Sequence, residues 1–338
     1  MKGVILCAGK GTRMQPFSLT TPKTMLPVVN RPLVAYCLEK FYQAGIEEIA
    51  VVVHPEQHML IGYLNNLPKK PVICYQKEQL GIAHALKLVE SFVGTDSFIL
   101  LLGDNLIKEP IETLIHAFEG NHGSILLSEV ENPSDYGVAE IVADRAVNIV
   151  EKPVDPKSNL AVIGMYHFSS VIFKAIRSID PSPRGEYEIT DAIQWLIHQG
   201  YAISYSITKE NYTDVGTIDR WLAANKWMLF DTMSKNIRIG KNTKLENCIL
   251  KGPIVIGDNC ILSNATIGPY VTIGDNATIE NCSISQSICL DHAVIQDLAR
   301  PVMDSVIGQH TRLLGDHPEQ EQAVRLVLGD HSRMSIVE

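Results

Sequence analysis

No apolar run in the chain approaches the roughly 20 residues that a membrane span needs, and no cysteine sits in a Cys-x-x-Cys pair. The first absence argues against an integral membrane protein. The second, with an odd total of seven cysteines, argues against a zinc ribbon or a disulfide framework and for reduced thiols in the cytoplasm. Positive charge is scarce as well: 29 Lys and Arg stand against 38 Asp and Glu, a net charge of −9. A nucleic-acid backbone would find no basic footprint, so any phosphate chemistry must rest on a few local cations. Two familiar glycine motifs are also missing. The dinucleotide fingerprint would need a third glycine where Met14 stands, and a P-loop would need Gly-Lys-Ser/Thr opening a helix. The N-terminal MKGVILCAGKG is an apolar run cut short by glycines, which reads as a first strand and not as a signal peptide.

What is present suffices for two domains: 338 residues, 46% of them hydrophobic. Up to about residue 230, strand-like runs at 2–7, 48–53, 72–75 and 97–102 alternate with helical apolar spacing at 31–44 and 82–92. This alternation predicts an α/β fold with a Rossmann-like, mixed and mostly parallel sheet. Ligands of such sheets sit at the carboxyl ends of the strands, which points to the loops after Cys7 and Leu102. Beyond residue 233 the period changes. Ile239-Gly240, Ile256-Gly257 and Ile273-Gly274 recur every 17 residues, and Leu290-Asp291 and Ile307-Gly308 continue the step. Asn242, Asn259 and Asn276 keep register, as do Asn247, Asn264 and Asn281, and aliphatic residues recur six apart within each repeat. These are marks of a left-handed parallel β-helix. The expected division is residues 1–233 and 234–338, with 217–233 a joining helix and 324–337 finishing the β-helix as a C-terminal cap. Cys248, Cys260, Cys282 and Cys289 are expected to fill small positions in or beside its stack.

The loop at residues 6–28, LCAGKGTRMQPFSLTTPKTMLPV, holds the most unusual local chemistry. Gly9 and Gly11 allow a tight turn and close backbone approach, and exposed N–H groups of such a turn form an anion-binding concavity. Arg13 adds a planar fork for phosphate oxygens and Lys23 a compact charge. Gly-x-Gly alone is commonly just a turn; its place after the first strand, with Thr12-Arg13 and Pro22-Lys23 following, favours a ligand loop. FILLLGDN at residues 98–105 is a buried strand ending in Asp104 and Asn105. An Asp there is often only a turn residue, but a carboxylate at a strand's carboxyl end also suits Mg²⁺ beside a triphosphate. A second carboxylate, Asp214, lies in YTDVGT.

GKGTRMQP followed by PKTMLPVVNRP resembles the signature of the sugar-1-phosphate nucleotidylyltransferases, and the likeness runs through the whole first half. Most members carry Gly-Gly before the Lys or Ser; Ala8-Gly9 here matches a variant seen in N-acetylglucosamine-1-phosphate uridylyltransferases. The resemblance implies that Asp104 and Asp214 hold Mg²⁺, and that Ala8, Gly9, Gly11, Thr12 and Arg13 take the nucleotide. Gln76 would meet the pyrimidine edge and Gly81 admit the ring. Lys152, in Glu-Lys-Pro, would reach the sugar phosphate and Glu151 the sugar hydroxyls. Tyr136, Gly137, Asn105, Val162, Gly164 and Tyr166 would line the sugar pocket, with Arg13, Lys23 and Lys152 catalytic. Glu188 can open a helix or meet the sugar, and both readings stay open.

The GDN, EKP, RGEYEITD and DVGT segments are most similar to long-form glucose-1-phosphate thymidylyltransferases, which end in a Gly-Asp-His-Ser segment, here at 329–332. The implied reaction joins dTTP to glucose 1-phosphate and releases pyrophosphate. UTP remains an alternative, since the two bases differ by one methyl. Two other classes remain open. A catalytically silent regulatory subunit would be expected to lose Arg13, Lys23 or an aspartate, and all are present. A bifunctional acyltransferase would use His292 or His310, which are as readily turn residues. The β-helix is expected to serve homo-oligomer formation or domain packing.

Overall fold

Lys2–Leu6, Ile49–Val53, Val72–Tyr75 and Phe98–Leu102 form strands, as their aliphatic runs predict, in a computed structural model that describes residues 1–315 and 322–336. The four pair in parallel in the order Phe98–Leu102, Lys2–Leu6, Ile49–Val53, Val72–Tyr75. The first strand therefore lies between strands reached by crossovers in opposite directions. That makes the carboxyl ends of Lys2–Leu6 and Phe98–Leu102 the switch point where an open α/β sheet leaves a crevice. An amide hydrogen bond from Gly103 to the Leu6 carbonyl, 2.9 Å long, closes the two strand ends together. Antiparallel strands Leu160–Phe168, Gly137–Val142 and Arg145–Glu151 extend the sheet on the Phe98–Leu102 side. Gly123–Glu129 pairs with Leu160–Phe168 and, in parallel, with Ile203–Ile207. Among the described residues these make one mixed, nine-stranded sheet.

Helix Leu33–Gln43 buries Leu33, Val34, Cys37, Leu38 and Phe41 along one stripe and stops at Gly45, whose φ of 70° suits a residue without a Cβ. The helical pattern expected over 82–92 is interrupted. Ile82–Lys87 and Glu90–Val93 are helical, while Leu88 and Val89 tighten to i→i−3 bonds that leave Val89 fully buried. Among the described residues no helix is long and apolar enough to cross a membrane.

By packing, the chain forms two compact units. One comprises Met1–Gly9 and Leu33–Asp214, and the other Lys10–Pro32 and Val215–Glu338. The second unit contains helix Ile218–Met233, capped by the Thr217 hydroxyl accepting from the Arg220 amide, and the left-handed parallel β-helix. Among the described residues its three faces carry six, six and four parallel strands. Ile254, Ile256, Leu262, Ile267, Val271, Ile273 and Ile279 stack inward and are essentially fully buried, as the six-residue spacing predicts. Cys260, Cys282 and Cys289 lie in this stack and Cys248 packs against it. The corners sit at positive φ in Asn242, Asn259, Asn276, His292, His310 and His331, a conformation that Asn and His tolerate better than β-branched residues. The three imidazoles stack with centroids 4.4 and 5.0 Å apart. Beneath each Ile-Gly, an Asp carboxylate of the next coil receives a backbone amide, as in Asp258 N–H to Asp275 at 2.7 Å. A Cβ on Gly257 would collide with that carboxylate.

Leu290-Asp291 does not continue the Ile-Gly step, because Ile273 pairs with Cys289 and the Asp275 amide meets Asp291 only 16 residues on. One residue is missing at the corner before Ile288. The next coil is 18 residues long, as in Ser305 N–H to Ser287, so Ile307 returns to its predicted place. Val327–Leu328 and Arg333–Ile336 extend two faces, as expected of the final segment, and Val337 lies outside the described residues. At the other end Ile237, Ile239 and Leu245 are 39%, 42% and 39% exposed, because the first coil has a neighbour on one side only. Arg238, Lys241, Lys244 and Lys251 on the same coil give that edge a charge that discourages strand addition.

In the first unit His167 is 2% exposed, stacked on Phe118 at 3.7 Å, and its ring nitrogens have no hydrogen-bond partner of good geometry. Burial holds the imidazole at a pKa of about 4, and the Leu114 backbone offsets this too weakly to restore it. The folded pKa lies below the ordinary 6.5. The stability contributed by the neutral ring is therefore complete above pH 6.5 and falls as pH drops toward 4, by on the order of 3 kcal/mol. Melting temperatures measured from pH 7.5 to 4.5 should fall less in His167→Phe than in the unaltered chain. Parallel curves would contradict this account.

Candidate functional site

The first residues of the loop expected to bind phosphate are held from behind by two glutamines, Gln57 and Gln79. Gln57 Nε2 donates to the Cys7 carbonyl at 2.9 Å and Gln79 Nε2 to the Ala8 carbonyl at 2.5 Å. With its carbonyl held and its side chain buried, Ala8 presents the turn that leads to exposed Gly9, where a Cβ would meet open space. No local pattern announces either glutamine, because each acts across about 50 residues or more of chain.

In the second unit the loop continues as three short 3₁₀ turns, Thr12–Met14, Phe17–Leu19 and Lys23–Met25. Met14 and Phe17 are fully buried and anchor the segment, so Thr12 and Arg13 are left exposed beside them. Gly11, at φ 64°, opens the first turn, and a Cβ there would come within 3.0 Å of Lys23 Cβ. The two cation-bearing turns of the loop are thus packed together at Gly11.

In the first unit the aspartates expected to share a metal are brought close by a two-stranded ladder. Asn105–Ile107 pairs antiparallel with Tyr212–Asp214, setting Asp214 opposite Asn105, the neighbour of Asp104. Opposed residues in such a ladder have Cα atoms about 4.5–5.5 Å apart. Asn105 Nδ2 donates to Asp104 Oδ1 at 2.7 Å, and Gly164 lets its strand press on the Asn105 side chain, where a Cβ would stand 2.9 Å away. Beneath, the Cys37 thiol is pushed up to about 12 by burial and then by the Asp104 carboxylate, and is inert at neutral pH. Two carboxylates fit Mg²⁺, which dehydrates reluctantly and takes its remaining ligands from water and phosphate. Among the described residues no cluster of three or more His, Cys, Asp or Glu supplies a fuller cage.

The segments expected on the sugar side also meet in the first unit. Lys152, held at φ 41°, follows the strand that ends at Glu151, and its amide donates to the Tyr136 carbonyl at 2.9 Å. Glu151 accepts from the Thr190 hydroxyl at 3.0 Å and from Arg184 at 3.4 Å. Arg184 also pairs with Glu188 at 3.4 Å and Glu186 at 3.5 Å, so one guanidinium serves three carboxylates. Glu188 is the residue just before helix Ile189–His198, and its carboxylate is 5% exposed. Its pKa is raised from 4.5 by burial and then by Glu151. Gly137 sits under Thr190, whose Cγ2 would stand 2.5 Å from a Cβ there. Val162 and Tyr166 lie in the core at 7% and 3% exposure, Tyr166 stacked on Phe168. The Tyr166 hydroxyl is pushed above its usual range by burial and by Glu151, so it remains protonated.

On the expected base side, buried Gln76 reaches His84 Nδ1 at 3.0 Å. Gly81, at φ 100°, is required by packing: a Cβ would fall 2.6 Å from the Tyr187 carbonyl, which accepts from the Ala83 amide. Through Tyr187, one residue before Glu188, the 76–84 and 184–190 segments form one wall.

Residues 2–229 match the family model described as nucleotidyl transferase. The glucose-1-phosphate thymidylyltransferase of Streptomyces griseus is 32% identical over 99% of both chains. The low-salt glycan biosynthesis nucleotidyltransferase Agl11 of Haloferax volcanii is 41% identical over 70% of this chain and 68% of its own. Among solved structures, a UDP-glucose pyrophosphorylase from Acinetobacter baumannii superposes with a TM-score of 0.62 at 25% identity, covering 68% of this chain and 94% of its own.

The crowding around Arg184 predicts opposite effects of two substitutions. Because the folded pKa of Glu188 is raised, its ionised form is disfavoured in the fold and costs stability as pH rises through that value. Glu188→Gln should keep or raise the melting temperature at pH 7, whereas Arg184→Ala, which strands three carboxylates, should lower it. Calorimetry that finds Glu188→Gln the less stable of the two would refute the assignment.

Proposed function

As the chain belongs to the nucleotidyl transferase family, we propose that it transfers a nucleotidyl group from dTTP to glucose 1-phosphate, giving dTDP-glucose and pyrophosphate. The coarser statement, a sugar-phosphate nucleotidyltransferase, is common to the relatives on which the finer one builds. The observation that carries the reading is the ladder that sets Asp214 opposite Asn105, beside Asp104. The likeness to the Streptomyces griseus enzyme supports the choice of nucleotide and sugar, because it extends over 99% of both chains. UTP is the second reading, favoured by the likeness to a UDP-glucose pyrophosphorylase. One methyl group is worth only about 1–3 kcal/mol of discrimination in an apolar pocket.

Nucleotidyl transfer needs positioning and charge neutralisation more than covalent help. Asp104 and Asp214 would hold Mg²⁺, which supplies charge neutralisation on the phosphates when bound. Lys152 donates to the sugar phosphate, holding a nucleophilic oxygen for in-line attack on the α-phosphorus. Arg13 and Lys23 neutralise the triphosphate, and Arg13 stabilises charge gathering on the departing pyrophosphate. Glu151, held by Thr190 and Arg184, accepts from sugar hydroxyls. No general base is required, since a sugar phosphate is already ionised at neutral pH. Ala8, Gly9, Gly11 and Thr12 supply the turn around the nucleotide phosphates, Gln76 and Gly81 the pocket for the base, and Tyr136, Gly137, Asn105, Val162 and Tyr166 the walls around the sugar.

Pyrophosphate release measured over a matrix of triphosphates and sugar 1-phosphates tests the reading. Release should be greatest with dTTP and glucose 1-phosphate, and Arg13→Ala should lower kcat by about 10²–10³-fold with an unchanged melting temperature. Preference for UTP would replace the nucleotide, near-normal turnover in Arg13→Ala would remove that residue's role, and no release with any pair would end the proposal.

A further inference from the structure

The second unit ties the segment carrying Arg13 and Lys23 to one face of the β-helix at two points. The first point is its far end. The Val29 amide donates to Asn225 Oδ1 at 2.9 Å, and the Thr272 hydroxyl reaches the same oxygen at 3.4 Å. Asn225 is 2% exposed and lies on helix Ile218–Met233, so one buried amide oxygen joins the segment, the helix and a β-helical strand. Next to it, Asn30 Nδ2 donates to the Ile273 carbonyl at 2.6 Å. The second point is nearer the start. The Thr20 hydroxyl, which also reaches the Phe17 carbonyl, donates to Asp330 Oδ2, and Gly329 lies so close to Pro16 that a Cβ there would stand 2.8 Å from the ring. Asp330 is itself fixed, because its other oxygen receives the Gln309 amide at 2.7 Å. Between the two points Trp221 donates its indole N–H to the Pro27 carbonyl at 2.6 Å and packs edge-on against Phe17 at 5.3 Å.

Strand Val271–Ile273 and residues Gly329-Asp330, which follow strand Val327–Leu328, belong to the same six-stranded face. Lys23 lies between the two attachments in sequence, and Arg13 lies three residues before Pro16, the first of them. A turn held at both flanks by a stack of hydrogen-bonded coils loses less conformational entropy when it closes on a ligand than a free one would. We infer that the β-helix is a positioning scaffold for the phosphate-binding loop, acting chiefly through Asp330 on Thr20 and the Ile273 carbonyl on Asn30, with Asn225 and Thr272 holding Val29 beside the latter. Asn225, Thr272 and Asp330 are positioning residues, since each acts on the loop and none is assigned to a phosphate. The inference rests on the functional reading above for the loop's ligand, but the attachment itself does not.

The test uses the full chain with Thr20→Val and Asn30→Ala combined, and Lys226→Met as control. Lys226 joins the same helix to the β-helix, through Gln286 at 2.6 Å and the Tyr270 ring at 5.1 Å, without touching the loop. Two readouts are taken: amide hydrogen exchange of residues 10–32, and calorimetric binding of dTTP and of UTP in the presence of Mg²⁺. The double variant should exchange its loop amides faster and bind its preferred triphosphate roughly tenfold more weakly, while its melting temperature stays within a few degrees of the original. The Lys226→Met chain should match the original in both readouts. Unchanged loop exchange in the double variant would overturn the scaffold, and so would faster exchange with unaltered triphosphate binding or an equal effect of Lys226→Met. If the unaltered chain binds neither triphosphate, the functional reading fails, and loop exchange alone decides whether the coils hold the segment.

Discussion

The hydrogen bond from the Gly103 amide to the Leu6 carbonyl marks the constraint on which the first unit depends. Two parallel strands reached by crossovers in opposite directions must end side by side, and the backbone soon beyond them leaves the nine-stranded sheet and must find its partners elsewhere. The chain responds on both sides of that gap. After Leu6 it turns through Ala8 and Gly9, with carbonyls taken up by Gln57 and Gln79. After Leu102 it turns through Asp104 and starts a short ladder with Tyr212–Asp214. Polar backbone and carboxylates are costly in a protein interior unless they are partnered. At the mouth of a sheet, where side chains and a second short ladder can reach them, they are tolerable.

The second unit obeys a different rule. A β-helix repeats one solution, an inward aliphatic residue on each face and a corner that must adopt positive φ, and each coil inherits its geometry from the one beneath. This explains why the corners are Asn, His and Asp and why the Asn ladder at Asn247, Asn264 and Asn281 runs on into Asp297. It also explains how the column absorbs a missing residue before Ile288: a longer following coil restores the register. The three stacked imidazoles of His292, His310 and His331 occupy these corner positions.

The parts of the fold that were legible in the sequence are those governed by local periodicity. The central parallel strands Ile49–Val53 and Phe98–Leu102 announced themselves as aliphatic runs because they are buried on both sides, and the β-helix did so through its repeating Ile-Gly. The compensating coils around Leu290 were illegible, since a deletion followed by an insertion leaves the flanking repeats in phase. At the candidate site, glycines, cations and aspartates could be picked out by residue type and by resemblance. Their supports could not. Gly81 reads as an opening for a ligand, yet the Tyr187 backbone already demands it. Arg184 sits within RGEYEITD, but nothing local predicts that it faces Glu151, 33 residues away. Nor does any periodicity foretell that loop residue Val29 meets Asn225, since that link spans 196 residues.

The surroundings of Trp221 give the molecule an intrinsic optical gauge. Its indole is fully buried, its N–H is engaged by the Pro27 carbonyl, and its ring meets the edge of Phe17. Fluorescence of an indole depends on solvent access and on the dipoles at its nitrogen, so any shift of the segment between Phe17 and Pro27 alters the colour or yield of its emission. With Trp195 and Trp227 replaced by Phe, so that Trp221 alone emits, the loop's movements can therefore be followed in real time without attaching a dye.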